Sequence, residues 1–253
     1  MTRIIMNGSS GRMGKVIAGL VADMQDAEIV AGVDVFDDGT AAFPVFKSLA
    51  ECDVEADVVI DFSSAKAVDA MLDAAVEKNL PVVLCTTGLS TEQLDHVREA
   101  ATKIAVLKSA NMSLGINTII KMLKTATDVF SNKGYDIEII EEHHHNKLDA
   151  PSGTALALAD AINEAADGKY EYVYDRSQRR EKRPENEIGI SAIRAGSIPG
   201  LHDVIFAGPD EVIEIKHTAY SRSIFGNGAI SAAIFLAGKK AGMYDMSDVI
   251  AAM

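Results

Sequence analysis

The chain has 253 residues, 48% of them hydrophobic and 24% charged, ordinary globular proportions that leave room for one large domain or two small ones. With 37 acidic against 24 basic residues its formal charge is −13, which excludes nucleic acid as a default partner, because duplex binding needs a basic footprint. No apolar stretch reaches the ~20 residues of a membrane span, Met1 leads into Ile4-Ile5-Met6 without a secretory h-region, and Cys52 and Cys85 are too few for a disulfide framework, so no membrane partner and a cytoplasmic location are expected.

Two periodicities alternate over the first part of the chain. Arg3–Met6 is a short apolar run ending in Asn7-Gly8, and Arg12–Met24 then carries Met13, Val16, Ile17, Leu20 and Val21 at helical spacing. Further apolar runs fall at Glu28–Val33, Ala56–Ile60, Pro81–Leu84 and Ile104–Leu107. Helical stretches lie between them, one with Val68, Met71, Leu72, Ala75 and Val76 on one face, another over Thr91–Thr102. Short buried strands alternating with helices predict a parallel sheet with helical crossovers.

The pattern changes after about Asn111. A long helix is expected over Gly115–Phe130, a strand over Tyr135–Glu142, and a helix from Pro151-Ser152-Gly153 to about Ala166. Asp175–Asn186 reads as a charged, solvated loop containing the one basic run, Arg176–Arg183. Strand-like runs follow at Ile188–Arg194, His202–Phe206 and Val212–His217, with turn residues between them, which suggests an antiparallel or mixed open sheet. Gly228–Ala241 returns to helical spacing. The expected fold is α/β: an N-terminal Rossmann dinucleotide-binding domain over 1–112 and a C-terminal α+β domain with an open mixed sheet over 113–225.

The first strand leads into Gly8-Ser9-Ser10-Gly11-Arg12-Met13-Gly14 and then a helix. A tight strand-to-helix turn without Cβ atoms lets backbone approach a pyrophosphate, and the helix start offers unpaired N–H groups. Asp34 ends the second strand, where an acid would hydrogen-bond ribose hydroxyls. The spacing is G-x-x-G-x-x-G rather than the commoner G-x-G-x-x-G. A carboxylate beside the ribose repels a 2′-phosphate, Val35 follows it, and no Arg or Lys lies nearby in sequence, so NADH is expected over NADPH, with Arg12 the one group able to reach a phosphate.

Glu141-Glu142-His143-His144-His145-Asn146-Lys147-Leu148-Asp149-Ala150-Pro151-Ser152-Gly153-Thr154 is the most informative stretch. Three readings compete. Consecutive histidines on a strand point to opposite faces, and no H-E-x-x-H or C-x-x-C spacing supports a metal, so none is expected. A solvated polar loop is the plain alternative. The third is anion binding with proton transfer: His titrates near neutrality, Lys147 brings a positive charge, and a helix start suits a carboxylate. That combination fits reduction of an anionic substrate.

This run resembles the signature of the dihydrodipicolinate (4-hydroxy-tetrahydrodipicolinate) reductases, roughly E-x-H-H-x-x-K-x-D-A-P-S-G-T-A, at Glu141, His143, His144, Lys147 and Asp149–Ala155. The glycine loop, Asp57–Ser63, Thr86-Thr87-Gly88, Ala110–Ser113, Arg183, Glu187-Ile188-Gly189, His202, Glu214-Ile215, His217, Ser221-Arg222 and Phe225 follow the family pattern in order, nearly the whole chain. The resemblance implies a Rossmann domain over 1–112 completed by residues 226–253, a mixed-sheet substrate domain over 113–225, and a homotetramer assembled through that sheet. It also implies NAD(P)H-dependent reduction of a cyclic imine dicarboxylate with loss of water, a step toward diaminopimelate and lysine.

Carried onto this chain, His143 would be the acid/base residue, Lys147 the proton donor and His144 a carboxylate contact, with Gly153 and Thr154 binding substrate. Gly8, Ser9, Ser10, Gly11, Arg12 and Met13 would hold the pyrophosphate and Asp34 the ribose. Cys85, Thr86 and Thr87, with Ser109, Ala110, Asn111 and Met112, would surround the nicotinamide. His145, Asn146, Cys85, Ser191 and Ala195 depart from the residues common at those positions, which bears on affinity rather than reaction type. His202 and His217 are compatible with packing or with substrate contact, and Arg222 with a carboxylate or an acid partner. Two rivals remain at this stage: a dehydrogenase of another dicarboxylate, which would not need the His-His-x-x-Lys run, and an NADH sensor, against which the acidic composition argues.

Overall fold

A computed structural model describes every residue of the chain except 175. The chain forms two compact units, one of residues 1–114 and 222–253, the other of residues 115–221.

In chain order the first unit begins with β1 (Thr2–Asn7), α1 (Arg12–Val21), β2 (Ala27–Val33), β3 (Val45–Phe46), β4 (Val58–Asp61), α2 (Ala65–Glu77), β5 (Val82–Leu84), α3 (Thr91–Ala101) and β6 (Ala105–Lys108). All neighbouring strands run parallel, with β1 between β2 and β4. Alternation along each strand divides the core into two layers. Ile5, Val59 and Val82 join Val68, Met71 and Leu72 of α2 and Val97 and Ala101 of α3. Ile4, Met6, Val58, Ile60 and Val83 face the other way and meet Ile17 and Val21 of α1. Each fully buried aliphatic side chain of this kind contributes about 1.5–3 kcal/mol. Ser90 starts α3 with a capping box: its Oγ accepts from Gln93 N at 3.3 Å and its own N–H donates to Gln93 Oε1 at 3.2 Å. β3 was not expected; two residues in a segment rich in Asp, Gly and Pro carry no period.

The second unit holds α4 (Leu114–Phe130), β7 (Asp136–His143), α5 (Gly153–Ala165), β8 (Glu171–Val173), β9 (Glu187–Arg194), β10 (Gly200–Ala207) and β11 (Val212–Ala219). Its sheet runs β11-β10-β7-β9-β8 and is mixed: β10 is antiparallel to β7 and β11, while β9 is parallel to β7 and β8. One face packs Ile137, Ile139, Ile188, Ile190, Val204 and Phe206 against Leu123 of α4 and Leu158, Ala159 and Ile162 of α5. The opposite face, with Glu138, Ile140, Glu142, Leu201 and Ile205, is half-buried.

The basic run is a solvated loop as expected over residues 177–182, which are exposed, while Arg176 and Arg183 at its two ends are half-buried and paired. Among the described residues, Arg183 pairs with Asp136 at 2.6 Å and with Glu138 at 3.0 Å, and Arg176 with Glu187 at 2.6 Å. These two guanidinium groups are neutralised by carboxylates of β7 and β9. Asp175, counted into that loop, lies outside the described residues.

The chain then returns to the first unit with α6 (Ser223–Leu236), β12 (Gly242–Tyr244), which pairs parallel with β6, and α7 (Met246–Ala251). The helix expected over Gly228–Ala241 thus lies earlier, and Gly238, with φ +75°, stands just beyond its end. α6 buries Ala229, Ile230, Ala232, Ala233 and Leu236 on the sheet face shared with α1. Gly228 lies so close to the backbone after β6 that a Cβ there would stand 1.6 Å from Met112 O. Among the described residues no helix is long and apolar enough to cross a membrane.

Candidate active site

In the first unit the expected cofactor residues gather at the carboxyl ends of the strands, where open α/β sheets bind their ligands. Asn7 and Gly8 leave β1, Phe62 and Ser63 leave β4, Thr86 and Thr87 follow β5, and Ser109–Met112 follow β6. The glycines are there for space. A Cβ on Gly8, whose φ is +83°, would stand 2.6 Å from Phe62 O, and one on Gly14 2.4 Å from Gly8 O. Asn7 Nδ2 donates to the fully buried Asp61 at 2.7 Å and so ties the ends of β1 and β4 together.

Not every amide of the turn points outward. Gly8 N and Ser9 N donate to Val33 O, and Gly11 N to Gly8 O. Ser10 N donates to Asp34 Oδ2 at 3.0 Å, while Ser10 Oγ donates to Phe36 O. The first helical residues, Arg12 and Met13, follow an N-cap, Gly11, that offers no side chain. Their amides are therefore the ones suited to an anion. Asp34 is held by two amides, Ser10 N and Phe36 N, and keeps lone pairs for a ribose.

A cavity of about 450 Å³ opens here, lined by Gly8, Gly11, Asp34, Lys47, Phe62 and Ser63 among others. Ser9 Oγ, Ser63 Oγ and Thr86 Oγ1 are buried without partners. A glycine cradle, orphaned hydroxyls and a fixed acid fit a dinucleotide. A larger hollow of about 590 Å³, lined by Ser9, Ser10, Ala18, Met24 and Phe43 among others, reaches toward the amino end of β2; it takes Ser9 and Ser10 from the glycine turn, but neither Gly8, Gly11 nor Asp34 lines it. Lys47 was missed from the sequence: pairing of Val33 with Phe46 carries it to the cleft beside Asp34. Cys85 follows β5 rather than lying within it, and burial pushes its thiol pKa well up, so it is not a thiolate.

In the second unit the site grows out of the strand alternation. On β7 the core-facing positions read Ile137, Ile139, Glu141, His143. The period continues, but apolar residues give way to ionisable ones. Their register partners do the same: Glu141 lies opposite His202, His202 opposite His217, and His143 opposite Arg194. Burying such groups is costly unless they pair, and Glu141, fully buried, makes four bonds. Arg194 donates to it twice, at 2.8 and 2.7 Å, Ser152 N at 2.9 Å, and His143 Nδ1 lies 2.5 Å from its Oε2. Burial alone raises the Glu141 pKa, but the bonds from Arg194, His143 and Ser152 together hold it below the usual carboxylate range.

His143 goes the other way: burial lowers it, against the pull of Glu141, and Lys147 and Arg194 add to the lowering. His202 stacks edge-on against His143 at 5.2 Å, and burial, aided by the charge of His143, pushes its pKa down to about 4. Burial lowers His217 too. Ser152 caps α5 by accepting from Ala155 N at 3.1 Å, and its Oγ also meets His202 Nε2 at 3.0 Å.

His144 is half-buried, its Nδ1 sealed without a partner, and its carbonyl accepts from Lys147 N at 3.1 Å. Lys147 Nζ pairs with Asp149 at 2.9 Å. Gly153 opens α5 with nothing near its Cβ direction, and Thr154 follows. His145 is exposed, and no group of three His, Cys, Asp or Glu side chains among the described residues is arranged to hold a metal. The residues missed from the sequence are Arg194 and Gly200, which are distant in the chain and adjacent only through the β7–β9 and β7–β10 pairings.

A Rossmann sheet with a glycine cradle, and a second unit gathering imidazoles, an ammonium group and a helix start, define a nicotinamide-dinucleotide-dependent oxidoreductase of an anionic small molecule. Residues 2–112 match the family description "Dihydrodipicolinate reductase, N-terminus" and residues 115–250 "Dihydrodipicolinate reductase, C-terminus". The chain belongs to the dihydrodipicolinate reductase family. The 4-hydroxy-tetrahydrodipicolinate reductase of Caldanaerobacter subterraneus subsp. tengcongensis is 52% identical over 99% of this chain and 98% of its own. That of Clostridium tetani is 51% identical over 97% and 96%. A dipicolinate-bound dihydrodipicolinate reductase from Paenisporosarcina sp. TG-14 superposes with a TM-score of 0.80, 25% identity and 97% coverage of both chains. A probable dehydrogenase from Thermotoga maritima, 13% identical with a TM-score of 0.61, shares the fold.

Proposed function

We propose that His143 and Lys147 are the proton-handling residues with which this chain reduces 4-hydroxy-tetrahydrodipicolinate to tetrahydrodipicolinate, with loss of water, at the expense of NAD(P)H. The observation that carries this reading is the second-unit cluster, where Glu141, His143 and Lys147 follow one another on β7 and the turn after it, beside the start of α5. The bound nicotinamide supplies hydride. Lys147 supplies the accompanying proton, and Asp149 holds its Nζ in an ion pair. His144 binds one substrate carboxylate, and Gly153 and Thr154 hold another at the start of α5, where backbone N–H groups and the helix dipole favour negative charge.

In the cofactor cleft, Arg12 and Met13 amides bind the pyrophosphate and Asp34 binds the ribose. Thr86, Thr87 and Ser109–Met112 line the nicotinamide end. NADH is the preferred donor, because the Asp34 carboxylate repels a 2′-phosphate; Lys47, in the same cleft, keeps NADPH usable. A kcat/KM higher with NADPH than with NADH would refute that preference. The chain is a homotetramer joined through the open sheet face, which presents Ile193, 43% exposed, beside half-buried Ile140, Leu201 and Ile205; light scattering of the eluted protein measures the assembly. The unpaired thiols of Cys52 and Cys85 suit a cytoplasmic location.

The test of the whole reading is substrate-dependent oxidation of NADH with pyridine-2,6-dicarboxylate as inhibitor. Competition against the imine dicarboxylate is expected, since the flat ring presents two carboxylates. Turnover without such competition points to another substrate.

A further inference from the structure

His143 is held from three directions. Glu141, two residues before it on β7, meets Nδ1 at 2.5 Å. Arg194, its register partner on β9, grips Glu141 with two parallel bonds. His202, on β10, stacks against the ring edge. Lys147, from the turn after β7, is the remaining charged group acting on it, and His217 of β11 stands beyond His202. An ionised carboxylate can only accept, so the proton between Glu141 and His143 sits on Nδ1.

The other nitrogen is treated differently. Nε2 has no protein hydrogen-bond partner among the described residues and is not among the sealed, unpartnered atoms of the site. It lies over Gly200, where a Cβ would stand 3.1 Å away. Gly200 has no positive φ that would demand glycine. Its missing side chain serves the space beside Nε2.

We propose that Arg194 and Glu141 are positioning residues that fix the neutral His143 ring with its proton on Nδ1, and that Gly200 keeps Nε2 uncovered, so that His143 meets the substrate as an acceptor. This rests on the reading of His143 as a proton-handling residue and gives it a direction. The ring takes a hydrogen bond from a substrate O–H or N–H, and Glu141 stands behind it to stabilise any imidazolium. The proton that completes the reduction comes from Lys147. Lowering of the ring by burial agrees with a neutral resting state.

The direct test is ¹⁵N-histidine NMR of the full chain at neutral pH. A protonated Nδ1 and a bare Nε2 on His143 are expected; the opposite tautomer overturns the proposal. The kinetic test is Glu141→Gln, with the charge-balanced Glu141→Gln/Arg194→Met pair in case the single change leaves a guanidinium unpaired and the protein unfolded. Turnover should fall roughly 10–10³-fold with KM for NADH unchanged, as when a catalytic His loses its orienting carboxylate. The acid limb of kcat/KM should move to lower pH, because the imidazolium loses its partner. Gly200→Ala should lower kcat in a chain that still folds. If His143→Ala abolishes turnover while the double variant keeps wild-type kcat and pH profile, the positioning role fails and the functional reading stands. If His143→Ala turns over normally, the functional reading itself fails.

Discussion

Replacing Gly228 with Ala puts a methyl group where the Met112 carbonyl already is. The added Cβ would lie 1.6 Å from Met112 O, whereas real contacts stop near 3.0 Å, and the obstacle is backbone rather than a flexible side chain. Either α6 or the segment after β6 must therefore move by well over an ångström. Overpacking of this kind costs about 1–3 kcal/mol, offset by the ~1 kcal/mol that Ala gains over Gly inside a helix. The net loss expected is about 0–2 kcal/mol. Because the displaced segment, Ser109–Met112, is assigned to the nicotinamide end of the cleft, KM for NADH should rise as well. Gly19, exposed in α1 with nothing near its Cβ direction, is the control: the same substitution there should stabilise by about 0.4–1 kcal/mol and leave KM alone. Urea unfolding followed by circular dichroism, with NADH titrations on each variant, measures both. If Gly228→Ala stabilises as Gly19→Ala does, with KM unchanged, α6 does not press on the cofactor segment as described.

Lys147→Ala should lower kcat by roughly 10²–10⁴-fold, the loss typical of a missing general acid, while NADH binding by fluorescence survives; an unchanged rate removes Lys147 from the mechanism. His144→Ala should chiefly raise KM for the dicarboxylate, and a pure kcat defect would contradict its role in carboxylate binding. His96 bridges Asp69 at 2.8 Å and Asp73 at 3.1 Å between α3 and α2, and the bond from Asp69 raises its pKa above the ordinary 6.5. A folded value above the unfolded one means stabilisation that is complete below the unfolded pKa and is lost as pH rises through the folded one. His96→Gln should therefore weaken the fold at about pH 5.5 and change little at about pH 9; denaturation midpoints that shift equally at both pH values would contradict the ion pairs.

The parts legible in the sequence were those whose logic is local. The glycine turn with its strand and helix, and the His-His-x-x-Lys run with the Pro-Ser-Gly-Thr helix start, are contiguous, so residue type and spacing reveal them directly. Arg194 was invisible because its partner lies 53 residues away and only the parallel β7–β9 ladder brings them together. Lys47 reaches the cleft of Asp34 in the same way, through a β3 too short to show a period. β8 and β12, of three residues each, fail for that reason as well. The displacement of α6 has another cause: a helix apolar on nearly all sides has no amphipathic edge to mark its ends. Glu141 was readable as a motif residue, but the pairing that makes it tolerable when fully buried is a property of the sheet.

The first unit is discontinuous, and this bears on how the chain is made. Residues 1–114 leave the ribosome with all the strands of that sheet except β12, but the layer formed by Ile4, Met6, Val58, Ile60 and Val83 is incomplete without Ala229, Ile230, Ala233 and Leu236. More than a hundred residues must be translated before that layer can be sealed. During that interval the nascent chain displays a broad aliphatic surface, the kind of species that aggregates or recruits chaperones. A ribosome stalled just short of residue 222 should therefore carry a partly built, chaperone-bound sheet.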